Sequence, residues 1–303
     1  MRNFCFFLFF CLLTLANAQN MPEFSLTDAW VMNVIEKAGI ETTGPVEKKK
    51  KILLFSLMTG FQHWTTPHTE AIVKALAEKS GRFEVVTSTD INRFNKRELA
   101  LFDAVVLNNT CSKPKDRNIF LDALREDGKM NAAEIQMAAA SLENNLMEFV
   151  AEGKGLIILH GGITMLNKSR AFSDMVGSSF DYHPPQQAIR VELADAGHPM
   201  VACFNGKGFE HVDEPYFFNN AHDELNFRPL LYMDAQTIEK KREDVPERRS
   251  YLSWIKRHGQ GKVFYASMSH NPQSYDNPAL VRYLLNGLDY AVGHLTCDDR
   301  PLK

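Results

Sequence analysis

The chain has 303 residues, 45% of them hydrophobic and 23% charged, with a formal net charge of -3 at pH 7. That length can bury one large core, and so even a charge balance gives no electrostatic reason to expect nucleic acid as a partner. Beyond the first residues, no run is long and apolar enough to span a membrane, which takes roughly 20 residues.

Residues 1–18, MRNFCFFLFFCLLTLANA, carry one arginine, an apolar run from Phe4 to Leu13 and Ala-Asn-Ala before Gln19. This is the pattern of a cleavable secretory signal peptide. Cleavage near Ala18 is expected, leaving a periplasmic or secreted protein. Cys5 and Cys11 leave with the leader, and Cys111, Cys203 and Cys297 are too few and scattered for a disulfide framework.

Residues 19–50 read as an N-terminal helix, FSLTDAWVMNVIEKAG at 24–39, and a polar linker. KILLFSL at 51–57 lacks polar alternation, as a strand covered on both faces should. The loop MTGFQHWTTPH and a helix over about 69–80 follow. FEVVTSTD (strand), FNKRELALF (helical turn) and DAVVLNN (strand) repeat the alternation, and a helix in NAAEIQMAAASLENNLMEFVAEGK leads into GLIILHGG at 155–162. This order predicts an α/β fold, a doubly wound, mostly parallel sheet with helices on both faces. Then QAIRVELAD and LLYMDAQ read as strands, the second a candidate antiparallel one. RRSYLSWIKRHGQGKVFYASM reads as a hairpin and PALVRYLLNGLDYAVG as the closing helix. We expect one domain over 51–294 and a tail at 295–303.

In a parallel sheet the carboxyl ends of the strands share one rim, where ligands bind. His63 follows the first strand, His160 the central one and His270 the last, while His183 and Glu214 lie in loops of the second half. If these loops converge, the imidazoles and the carboxylate suit a divalent metal such as zinc, with an open position for water or substrate. No HxH or HExxH spacing supports this, and each histidine alone is more often structural. A metal-free site, with His160 as general base and Glu214 as general acid or orienting carboxylate, stays open; Asp213 could instead accept backbone hydrogen bonds in a turn. Cys111 has no identified activating partner, and no phosphate loop or dinucleotide fingerprint is present. Aromatics in FQHW, FDYHPP and EPYFFNN, Trp64 and Tyr216 among them, could form a stacking platform for a sugar.

The stretches KILLFSLMTGFQHW, FDAVVLNNT, FVAEGKGLIILHGG, GSSFDYHP, HPMVACF, DEPYFF, GQGKVFYASMSH and LLNGLDYAVG, in this order over about residues 50–294, resemble the ThuA-like, or trehalose-utilisation, family. The resemblance implies a flavodoxin-like sheet similar to class I glutamine amidotransferase domains. His160 then stands in place of their nucleophile, so amidotransferase activity is not expected. The family's recurrent polar positions map onto His63, His160, His183, Glu214 and His270. Gly161 and Pro215 depart from the Ser and Trp often found there, which bears on substrate choice.

Members are associated with disaccharide catabolism beside oxidoreductases that make 3-keto sugars, and some with a metal such as zinc. The expected function is metal-assisted hydrolysis, elimination or isomerisation of a small carbohydrate. In that reading His160 and Glu214 are catalytic, His160, His183, Glu214 and His270 hold the metal, and His63, Trp64, Gly161 and Tyr216 meet the substrate. The alternative is a non-catalytic carbohydrate-binding protein using the same pocket. A homo-oligomer is compatible with either.

Overall fold

The computed structural model describes residues 21–42, 48–243, 245 and 248–302; the expected signal peptide lies outside the described residues. The chain begins with α1 (Asp28–Ala38), capped by the Thr27 hydroxyl and ended by Gly39 at φ 59°. The cap puts its start four residues after the expected one, since a side-chain acceptor at Thr27 satisfies an amide of the first turn. β1 (Lys50–Phe55), α2 (Thr66–Ser80), β2 (Phe83–Ser88), α3 (Lys96–Leu99) and β3 (Ala104–Asn108) follow. α2 begins earlier than its apolar spacing suggested because Pro67 fits a first helical turn.

Next come α4 (Ile119–Asp127), α5 (Ala132–Ala151) and β4 (Gly155–Leu159). The second half contains α6 (Arg170–Val176), β5 (Ser179–Tyr182), β6 (Gln187–Leu193), β7 (Phe209–Asp213), β8 (Phe217–Asn219), β9 (Arg228–Asp234), β10 (Arg249–His258), β11 (Gly261–Ala266) and α7 (Pro278–Val292). Nine strands form one sheet in the order β2-β1-β3-β4-β11-β10-β9-β6-β7, and β5 pairs with β8 in a separate ribbon. β2, β1, β3, β4 and β11 run parallel; β10, β9, β6 and β7 continue the sheet antiparallel. β11 is thus both the second arm of the expected hairpin and the parallel neighbour of β4.

Two apolar layers explain the unbroken hydrophobic runs. Ile52, Leu54, Val106, Ile157 and Phe264 pack with α1, α2 and α7 on one face, while Leu53, Phe55, Val105, Ile158 and Tyr265 pack with α4, α5 and α6 on the other. Successive strand residues point to opposite faces, so every position must be apolar when both are covered. Among the described residues no helix is long and apolar enough to cross a membrane. The three described cysteines are free thiols.

His222 is wedged between Phe218, Phe227 and Trp254, and burial pushes its pKa down to about 4. The unfolded chain takes up this proton near pH 6.5 and the folded protein only near 4, so folding stability falls as pH drops through that window. We expect His222→Gln to flatten the pH dependence of urea unfolding between pH 6.5 and 4 by up to about 3 kcal/mol. Identical slopes in mutant and parent would rule this out.

Candidate functional site

β1, β3, β4 and β11 are neighbours and parallel, so the segments leaving their carboxyl ends meet on one rim. They bring His63, Cys111, His160 and His270 together, and Glu214 joins them from the end of β7. His160 has no exposed surface and sits at φ 45°, a conformation a side-chain-bearing residue adopts only at a cost. Its Nδ1 lies 2.5 Å from the Ser267 carbonyl. A carbonyl only accepts, so Nδ1 carries a proton and Nε2 is the ring atom that faces the cluster.

That Nε2 is 3.2 Å from His270 Nδ1 and 3.3 Å from Glu214 Oε2, and the latter two atoms are 3.1 Å apart. Donors at tetrahedral zinc distances are separated by about 3.3 Å, so the three atoms are spaced as one face of such a polyhedron. His63 is the fourth member: each of His63, His160, Glu214 and His270 offers one ligand atom, all within 4.8 Å of one another, and the group could hold a metal ion. Cys111 Sγ is 3.6 Å from His63 Nδ1 and donates to the Gly161 carbonyl at 3.3 Å.

The remaining residues singled out in the sequence fall around this cluster. His183, expected among the ligands, lies outside the four-residue group. Its Nδ1 donates to the Pro184 carbonyl, its Nε2 is 3.7 Å from Glu214 Oε1, and a third of the side chain is exposed. Tyr216 is buried with its hydroxyl 3.0 Å from His160 Nε2. Gly161 has no room for a side chain: a Cβ there would come 2.6 Å from Cys111 Sγ and 2.7 Å from His63 Cε1. Trp64 packs on Phe24 and His68.

Burial and the neighbouring His160 and His270 push the His63 pKa down to about 2, so its ring is a neutral donor at physiological pH. Burial would raise the Glu214 carboxyl, but hydrogen bonds and charge from His160 and His270 outweigh it and hold the group well below the usual carboxylate range. Burial would lower His270, but the Glu214 carboxylate reverses the sign and raises it. The Cys111 thiol is pushed up to about 12 by burial, which leaves it a poor nucleophile.

Asp213 organises the loops that carry two of the four residues. Its Oδ1 accepts from the Glu214 amide at 2.8 Å, and its Oδ2 accepts from the amides of Ser269 (2.9 Å) and His270 (3.4 Å) and from His211 Nε2 (2.6 Å). Ser269 is held at φ 100°. Burial opposes the Asp213 charge, yet the charge and hydrogen bond of His211 lower its pKa overall. The backbone-accepting role considered for Asp213 is thus present, across two loops instead of one turn. The signal for His211 in the sequence is its spacing, since His and Asp two apart on a strand share a face.

Among curated proteins no sequence matches the chain. Solved structures share the fold: a ThuA-like protein from Bacteroides uniformis (14% identity, 82% of this chain and 94% of that one, TM-score 0.61) and one from Parabacteroides merdae (19%, 84% and 98%, 0.56). A cytoplasmic protein from Salmonella typhimurium is similar over 82% of this chain and 99% of its own, with 13% identity and a TM-score of 0.52. The family profile described as ThuA, trehalose utilisation, matches residues 51–291. With that match covering most of its length and the α/β sheet in place, the chain belongs to the ThuA family.

Proposed function

We propose that the protein is a metal-dependent enzyme acting on a small carbohydrate, by proton transfer next to a sugar carbonyl or by hydrolysis. The observation that carries this reading is the triangle of His160 Nε2, His270 Nδ1 and Glu214 Oε2, with sides of 3.1–3.3 Å. Three imidazoles and one carboxylate favour zinc. A bound divalent cation supplies Lewis acidity toward a substrate oxygen.

The chain's own groups do the rest. Ser267 fixes the His160 tautomer, and His63 enters as a neutral ring. Tyr216 can donate a hydrogen bond to His160 or to a substrate oxygen in its place, since burial and the Glu214 charge raise its pKa well above the ordinary value and keep it protonated. His183, partly open to solvent beside Glu214, is placed to take a proton from the substrate and pass it outward. This assigns His183 to proton transfer and gives the fourth ligand position to His63. The family description supports a carbohydrate substrate. The leader MRNFCFFLFFCLLTLANA supports export to the periplasm or beyond; an N-terminus at Gln19 in the mature protein would bear that out.

The test is elemental analysis of untagged protein alongside His160→Ala, Glu214→Ala and His270→Ala. We expect near-stoichiometric zinc in the parent and affinity lower by about 100-fold or more in each variant. Absence of bound metal after loading would abandon the metal-dependent reading in favour of a carbohydrate-binding protein.

A further inference from the structure

Phe61 is 63% exposed, among the most exposed large hydrophobic side chains described, and it stands at the metal-capable cluster. Its ring meets His63 edge-on at 4.7 Å between centroids and lies 6.3 Å from His270, tilted by 32°. Exposure of this kind is common on loose loops, but this loop is pinned. The amides of Thr59 and Gly60 donate to the Cys111 carbonyl at 2.9 and 3.0 Å, and Thr59 Oγ1 donates to Asp122 at 2.6 Å. The Gln62 side chain folds back onto the Met58 and Gly60 carbonyls. Gly60 lies so close to Ser112 that a Cβ would come 2.4 Å from its carbonyl oxygen. The phenyl ring is therefore held out beside the cluster with its remaining surface free, forgoing the stabilisation that burial would bring.

A ligand that recovers this stabilisation needs an apolar face for Phe61 and oxygen atoms for the cluster. A pyranose ring offers both, with axial C–H bonds on one face and hydroxyls at its edge. Among the described residues the ion-pair partners of Glu214 are histidines, and no lysine or arginine pairs with it. We propose that Phe61 is the stacking wall of a subsite for an uncharged pyranose, which sets its apolar face on the ring and directs its oxygens to His63, His160, Glu214 and His270. The proposal rests on the carbohydrate reading above and names the residue that would select the substrate.

The experiment is saturation-transfer NMR on the zinc-loaded protein, with methyl α- and β-glucopyranoside, methyl α-galactopyranoside and α,α-trehalose as probes. Parent, Phe61→Ala and Phe61→Tyr are compared, and zinc affinity is measured on each. We expect at least one probe to bind, about tenfold weaker binding in the alanine variant, recovery in the tyrosine variant, and zinc affinity unchanged throughout. Equal binding by parent and Phe61→Ala overturns the stacking role, and failure of all four probes on the parent overturns the ligand class. Phe61-dependent sugar binding in a protein that takes up no zinc keeps the subsite and rejects only the metal reading.

Discussion

Replacing Asp213 by alanine is expected to lower the unfolding free energy by about 3–5 kcal/mol, because truncation strands the groups that converge on one buried carboxylate. Four donors lose their acceptor: the amides of Glu214, Ser269 and His270 and the His211 ring. Desolvated donors without partners cost more than the net value of the bonds they made. The effect should also reach the site, since Asp213 fixes the backbone of Glu214 and His270 directly and keeps Ser269 at φ 100°. Metal affinity should fall by about 10- to 100-fold, as for other groups that orient ligands. Asp213→Asn, which keeps one acceptor oxygen, should lie between. Urea unfolding and competition with a zinc indicator measure the two effects. An alanine variant with parental zinc affinity would refute the clamp, even if stability fell.

Gly161→Ala should destabilise the protein by about 1–3 kcal/mol, the range for inserting a methyl into a packed interior. The neighbours it would strike are Cys111 Sγ at 2.6 Å and His63 Cε1 at 2.7 Å. Neither can retreat freely: the thiol also contacts the Gly161 carbonyl, and the His63 loop is tied to the Cys111 carbonyl through Thr59 and Gly60. The resemblance ties the glycine at 161 to substrate choice; the packing also makes it the condition for having Cys111 and His63 where they are. Combining Gly161→Ala with Cys111→Ala removes the nearer obstacle, so the double variant should be more stable than the sum of the singles by about 1 kcal/mol. Strictly additive costs would mean the clash is relieved elsewhere.

The parts legible in the sequence depend on local chemistry repeated along the chain. KILLF and GLIIL announce strands covered on both faces, and Ile52 and Leu53 do enter opposite layers. Parallel strands put their carboxyl ends on one rim, so His63, His160 and His270 could be grouped without any metal motif. Short elements escaped because a few residues carry too little period to read: β5 and β8 have four and three residues, and α6 has seven.

From the sequence alone came the α/β class, which follows from hydrophobic patterning, the family resemblance, which its motif stretches carry, and the set of five polar positions, three of them at strand ends and two in loops of the second half. Only the tertiary structure decided which four of them close on one point. His63 rather than His183 joins His160, Glu214 and His270, because angstrom-scale placement depends on how separate loops pack. One loop is tied through the Cys111 carbonyl, another through Asp213, and His183 is turned toward its own Pro184. The first two of these contacts link residues far apart in the chain, and no local pattern encodes them.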